Sequence, residues 1–171
     1  MVQSGQIEPF EILIKRYEEK MKRYARKFLF GYEDAEDLAQ EVFLKSYINI
    51  KSFDVSKKFS PWLYRIAHNE FINAIKKKGR EPLSFFNSDV LFPQLVSKEK
   101  ADGEINKREL RQRLDRCLNE LSSKYREPLV LYYFEELSYK EIADVLRVPI
   151  ATVGIRLQRG KKIMKSLLPK K

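Results

Sequence analysis

Between Thr152 and Lys165 the chain sets Arg156, Gln158, Arg159, Lys161, Lys162 and Lys165 among the apolar residues Val153, Leu157, Met164 and Leu167. Guanidinium and ammonium groups pair with phosphates, and Arg and Gln also meet base edges, so the chemistry on offer is recognition of nucleic acid. A second set lies upstream. Trp62, Arg65, Asn69, Asn73 and Lys76 recur at spacings of three and four, which puts one ring, two cations and two amides on one helical stripe. Unstacked bases stack on rings while phosphates pair with Lys or Arg, so this stripe suits a single strand. Trp62, with Phe53 and Phe59, would equally well complete a small helical core.

Bond-making chemistry is harder to find. His68 is the only histidine and Cys117 the only cysteine, which leaves no plausible zinc site and no nucleophile with an identifiable base. Cys117 sits among Leu114, Leu118 and Leu121 at helical spacing and reads as a small buried hydrophobe. No phosphate-cradling glycine loop is present, and the carboxylates fall in charged helical stretches. The expectation is a protein that binds, with no cofactor, metal or catalytic residue.

The elements that must position these residues follow from periodicity. Phe10, Leu13, Ile14, Tyr17, Met21, Tyr24 and Phe28 predict a first amphipathic helix, which Gly31 can terminate. The acidic run Glu33, Asp34, Glu36, Asp37 suits a helix N-terminus, and a second helix continues through Leu38, Val42, Phe43 and Tyr47 with Asp37, Gln40 and Glu41 on its polar side. Residues 51–60 lose the period and read as a loop. Ser60 and Pro61 then offer a cap and a first-turn proline for a third helix, whose Leu63, Ile66, Ala67 and Ala74 can face a core. From Glu81 to Asn106 the helical period disappears among Pro82, Pro93 and Gly103, which reads as a linker able to span about 85 Å when extended. A fourth helix runs from Ile105 through Leu110, Leu114, Leu118 and Leu121, and a fifth covers about 123–135, with Pro128 early in it.

The last third is more specific. Ser138 and Glu141 have the spacing of a capping box just ahead of Ile142, Ala143, Val145 and Leu146. Arg147, Val148 and Pro149 interrupt the pattern, and a second helix starts at Pro149, with Gly160 in its apolar seam. A capped helix, a tight turn and a basic helix make a helix-turn-helix, the unit that places a helix in the major groove. The whole chain is predicted all-α, as two small helical bundles joined by a flexible linker.

Charge agrees with a polyanionic partner. Against a net charge of +10, Lys and Arg outnumber Asp and Glu by 16 to 11 in residues 1–80 and by 16 to 8 in residues 107–171, with 2 to 5 between them. No apolar run approaches the roughly 20 residues that span a bilayer, and the N-terminus lacks the order of a secretory signal. A soluble, cytoplasmic protein without membrane insertion is expected.

EDAEDLAQEVFLKSY (33–47) and FSPWLYRIAHNEFINAIKKKGR (59–80) resemble region 2, and LSSKYREPLVLYYFEELSYKEIADVLRVPIATVGIRLQRGKK (121–162) resembles region 4, of the extracytoplasmic-function sigma factors of bacterial RNA polymerase. The resemblance implies a region 2 domain over 1–80, a linker over 81–106 and a region 4 domain over 107–171. It implies docking on core polymerase by Asp37, Leu38, Gln40 and Glu41. It implies capture of the melted non-template strand and the minus-10 element by Lys51, Ser52, Phe53, Lys57, Lys58, Trp62, Arg65, Asn69, Asn73 and Lys76. Reading of duplex minus-35 DNA would fall to Thr152, Ile155, Arg156, Gln158, Arg159 and Lys162. An anti-sigma factor is the further partner implied. One departure stands out: Gly154 and Ile155 occupy positions where the family commonly has a basic or polar pair. Two other readings remain at this point. A stand-alone regulator would use the helix-turn-helix alone, and a decoy would bind polymerase without reading promoters. RNA binding is compatible with the charge, but no RNA-binding motif supports it.

Overall fold

The structure is a computed structural model that describes residues 8–29, 33–77 and 107–168. Gly31, the basic run's end at 78–80, the whole of 81–106 and Ile105 lie outside the described residues. The elements are α1 (Glu8–Phe28), α2 (Ala35–Asn49), a 3-10 turn (Ile50–Ser52), α3 (Phe59–Lys77), α4 (Lys107–Glu120), α5 (Ser123–Tyr133), α6 (Tyr139–Leu146) and α7 (Ile150–Leu167). The fold is all-α among the described residues, in two helical regions.

In the first region α2 packs against both α1 and α3. Met21, Tyr24 and Phe28 of α1 are fully buried at the predicted spacing, with Ala25 beside them, against Ala39, Val42 and Phe43 of α2 and Leu63, Tyr64, Ala67 and Phe71 of α3. Tyr47 does not join this core: it stays 38% exposed and its ring meets Phe10 at 5.1 Å. The loop after α2 is not wholly irregular, since its first residues wind into the 3-10 turn. Helix α3 opens at Phe59, so Ser60 lies inside the first turn and is not its cap; Pro61 still falls where no N–H is needed.

In the second region α7 packs on α5 and α6. Leu118 and Leu121 are buried, whereas Leu110 is 43% exposed and Leu114 only half-buried, so the predicted stripe of α4 turns inward near its end. Helix α5 stops at Tyr133, two residues short of the expected end, with Phe134 and Glu135 both donating backbone N–H to Val130 O. Pro128 is its sixth residue, beyond the first turn, and so removes a bond to the Lys124 carbonyl. Val153 and Leu157 fill the core; Met164 and Leu167 are half-buried. Gly160 is the close-approach point, because a Cβ there would sit 2.9 Å from Leu129 Cδ1.

The two regions are also packed on each other, α1 against α5 and α3 against α6. Buried residues from both form one contiguous apolar cluster. In this form the two basic blocks lie side by side instead of far apart.

Candidate nucleic-acid interface

The helix-turn-helix has the local geometry its sequence demands. Ser138 Oγ accepts from the Glu141 backbone N–H at 3.3 Å, and Glu141 Oε2 accepts from Ser138 N–H at 2.8 Å, closing the capping box. Burial pushes the Glu141 carboxyl up, but hydrogen bonds from Lys58 and Ser138 outweigh it and hold the group below the usual glutamate value. Ile142, Ala143, Val145 and Leu146 face inward, as expected. The helix ends at Arg147, whose left-handed backbone (φ 53°) lets Val148 N–H reach Ala143 O at 3.2 Å. Pro149 then sits in the N-cap position of α7.

On α7 the inward residues Val153, Leu157 and Gly160 fix which side faces out. Ile155, Gln158, Arg159 and Lys162 are exposed, forming one stripe, with half-buried Thr152 and Arg156 at its flanks. These six are therefore brought together. At Gly154 a Cβ would meet Tyr139 Cε2 at 3.7 Å, ordinary contact, so packing does not demand glycine there.

The loop and stripe of the first region meet around three rings. Phe53 lies 5.2 Å from Trp62 and 5.6 Å from Phe59, and Phe59 lies 5.4 Å from Trp62. All three are half-buried, so the rings build the loop's floor while keeping edges at the surface. Asp54 Oδ1 accepts from the N–H and Oγ of Ser56 at 3.0 and 2.7 Å, a local turn that holds its carboxyl below the usual range. Lys51, Ser52, Lys57 and Lys58 are exposed around it. Along α3, Asn69, Asn73 and Lys76 are exposed on the continuation of the Trp62 stripe, about 21 Å long at ~1.5 Å per residue. Arg65 is engaged: its Nε donates to Asp144 O of α6 at 2.8 Å, and Nη2 donates to the same oxygen. Lys58 Nζ donates to Glu141 of α6 at 2.9 Å.

On α2, Asp37, Gln40 and Glu41 are exposed and Leu38 is half-buried against the core. The same stripe continues into Leu44 and Ile48, which are 61% and 68% exposed and had no place in the sequence reading. Their signal was available. Val42, Phe43, Leu44, Tyr47 and Ile48 are more apolar residues than one helical stripe can bury.

Sequence reasoning also missed a polar cluster between the regions. Glu127 accepts from Tyr24 OH, and its Oε1 lies 2.7 Å from His68 Nδ1. Glu135 accepts from Arg23 Nε and Nη2 at 2.8 and 2.9 Å and from Tyr64 OH at 2.5 Å. Burial first, then the neighbouring carboxylates, push the Tyr24 and Tyr64 phenols far above their ordinary values, so both stay protonated donors. Periodicity places Tyr24 on an inward stripe but cannot pair it with a carboxylate, and Arg, Glu and His read as surface residues.

An aromatic, cationic and amide-bearing face and a helix-turn-helix are features of a helical nucleic-acid-binding protein. Its family is given by comparison. Residues 13–81 match the Sigma-70 region 2 model and residues 111–164 match the Sigma-70, region 4 model. The Bacillus subtilis ECF RNA polymerase sigma factor SigW is 35% identical, over 98% of this chain and 92% of its own length. The Pseudomonas aeruginosa RNA polymerase sigma-H factor is 32% identical over 98% and 91%. A solved structure, the sigma factor RpoE in complex with the anti-sigma factor NepR from Bartonella quintana, superposes with a TM-score of 0.72 at 26% identity, covering 93% of this chain and 96% of that one. The chain belongs to the extracytoplasmic-function sigma factors, which direct RNA polymerase to promoters.

Proposed function

We propose that the work of a sigma factor is divided along this chain as follows. Residues 1–80 bind core polymerase through the outward face of α2 and hold melted minus-10 DNA on the loop and α3. Residues 107–171 read duplex minus-35 DNA through α7, and 81–106 connect the two. The observation that carries this reading is the co-location, in one helical region, of an α2 face that stays exposed among the described residues and an aromatic, cationic, amide-bearing α3 face. Asp37, Gln40 and Glu41 give the α2 face its polar specificity, and Leu44 and Ile48 add apolar area that water alone would leave unfavourably solvated.

On α3, base extrusion costs a few kcal/mol, to be repaid by stacking on the Phe53, Phe59 and Trp62 rings and by phosphate pairing to Lys51, Lys57, Lys58 and Arg65. Ser52 lines the same loop. Asn69 and Asn73 have the donor and acceptor pair that meets adenine bidentately, and Lys76 ends the stripe on the phosphate backbone. On α7, Arg156 and Arg159 suit guanine, and Thr152, Gln158 and Lys162 suit phosphate or base edges. Ile155 offers an apolar contact to a thymine methyl. The chain supplies specificity; the polymerase makes the bonds. Among the described residues no helix is long and apolar enough to cross a membrane, in keeping with action in the cytoplasm beside polymerase. An anti-sigma factor is the proposed regulatory partner, supported by the relative solved with one.

The test is transcription from a promoter library by bacterial core polymerase, with and without the protein. New start sites sharing an upstream motif are expected, and Asn69→Ala or Asn73→Ala should weaken them roughly 5- to 150-fold, the range of one lost bidentate base contact. Core binding without new starts would favour the decoy. Duplex binding without core binding would leave a stand-alone regulator.

A further inference from the structure

Four cations recur along one side of α1: Arg16, Lys20, Arg23 and Lys27, at steps of four, three and four. The second half of this stripe is neutralised by the C-terminal region, Arg23 pairing with Glu135 at 2.8 Å and Lys27 with Asp115 at 2.6 Å. The first half is not. Arg16 and Lys20 are exposed, and among the described residues neither pairs with a carboxylate. The neighbouring Glu18 and Glu19 both turn to Lys22, at 2.6 and 3.7 Å. Like charges one helical turn apart repel, a cost that an anion placed between them removes.

What lies beside these two cations gives the kind of anion. Lys20 Nζ sits 5.8 Å over the Tyr17 ring, and Tyr17 lies 5.5 Å from Phe59, the ring that joins it to Phe53 and Trp62. Half-buried Tyr17 thus adds a fourth ring to the floor of the loop. Phe59 opens α3, whereas Asn69, Asn73 and Lys76 lie along its later turns, so α1 borders the face at the end opposite Lys76. A ring flanked by cations is what one nucleotide of a single strand needs, the ring for its base and the cations for the phosphates on either side. A duplex keeps its bases stacked on one another and out of reach of Tyr17. Resting on the assignment of the loop and α3 to a melted strand, we propose that Arg16, Tyr17 and Lys20 form a further nucleotide subsite, which carries the strand past Phe59 for one more base and two more phosphates.

The test is fluorescence anisotropy of the full-length chain with a labelled oligothymidylate strand and with a blunt duplex, over a salt series. Arg16→Gln combined with Lys20→Gln should lower the slope of log K against log salt on the strand by about 1.4, from ~0.7 for each phosphate contact. Tyr17→Leu keeps apolar bulk against Phe59 but no ring, and should weaken the strand at least about fivefold, the low end for one base stacked on a ring, with slope and duplex affinity unchanged. Arg111→Gln, which removes an exposed cation of α4, should leave the slope at the parent's value. Helical circular dichroism checks folding, and the charge variants decide the matter if Tyr17→Leu does not fold. A double variant with the parent's slope, or a Tyr17→Leu loss of equal size on the duplex, would overturn the subsite. Lys57→Gln separates that failure from failure of the wider reading. A slope lowered by Lys57→Gln alone would leave the loop holding a strand without α1, whereas the parent's slope in every variant would remove strand binding by this region altogether.

Discussion

Ser138 and Glu141 show how much one residue pair can fix. Each satisfies the other's backbone N–H, and the Glu141 carboxylate also accepts from Lys58. Ser138→Ala should cost about 1 kcal/mol at neutral pH, measured by urea unfolding, which is the usual worth of an N-cap hydroxyl. Because the folded Glu141 is more acidic than a free glutamate, its contribution is complete above the ordinary glutamate range, about pH 4–5, and is lost as pH falls through its depressed folded value. The gap between parent and variant should shrink over that acid interval. This box was legible because both partners lie three residues apart. Trp62 was not decidable in the same way: periodicity places it on a stripe, but only the positions of Phe53 and Phe59 make it half-buried.

At the scale of elements, α2 separates what periodicity can and cannot give. Its inward residues Val42 and Phe43 were recoverable from spacing, whereas apolar residues on both sides left the phase ambiguous for Leu44, Tyr47 and Ile48. Spacing alone puts Tyr47 on the inward side and gives Leu44 none, for the same reason. If the outward stripe docks on polymerase, Leu44→Asp should weaken core binding by tenfold or more, since burying a leucine is worth about 1.5–3 kcal/mol. Titration of labelled protein with core polymerase would measure it, and the isolated fold should be little affected because Leu44 is 61% exposed. Helices α6 and α7 are easier to place, since a capping box and a proline punctuate them in the sequence itself.

For the molecule as a whole, charge is the property most plainly written in the sequence. With a net charge of +10, binding to random duplex should be steeply salt-dependent, and Lys162→Gln should lower the slope of log K against log salt by about 0.9 if that lysine neutralises one phosphate. Fluorescence anisotropy over a salt series measures the slope. The packing of the two regions was illegible by comparison. Its polar contacts join residues 59 to 112 positions apart, and Glu, Arg and His resemble ordinary surface residues until their partners are known. Two compact helical regions were predictable from local pattern; their mutual burial depends on pairings that no local window contains.

The long separation of those pairings gives the protein a history as well as a shape. During synthesis Tyr24, Tyr64 and His68 are made before Glu127 and Glu135 exist, and some 50 residues separate Lys77 from Glu127. At ~5–20 residues per second, that interval lasts about 3–10 s. Every newly made chain therefore passes through an open youth, with its first region already able to fold by local helix contacts, before it acquires the means to close.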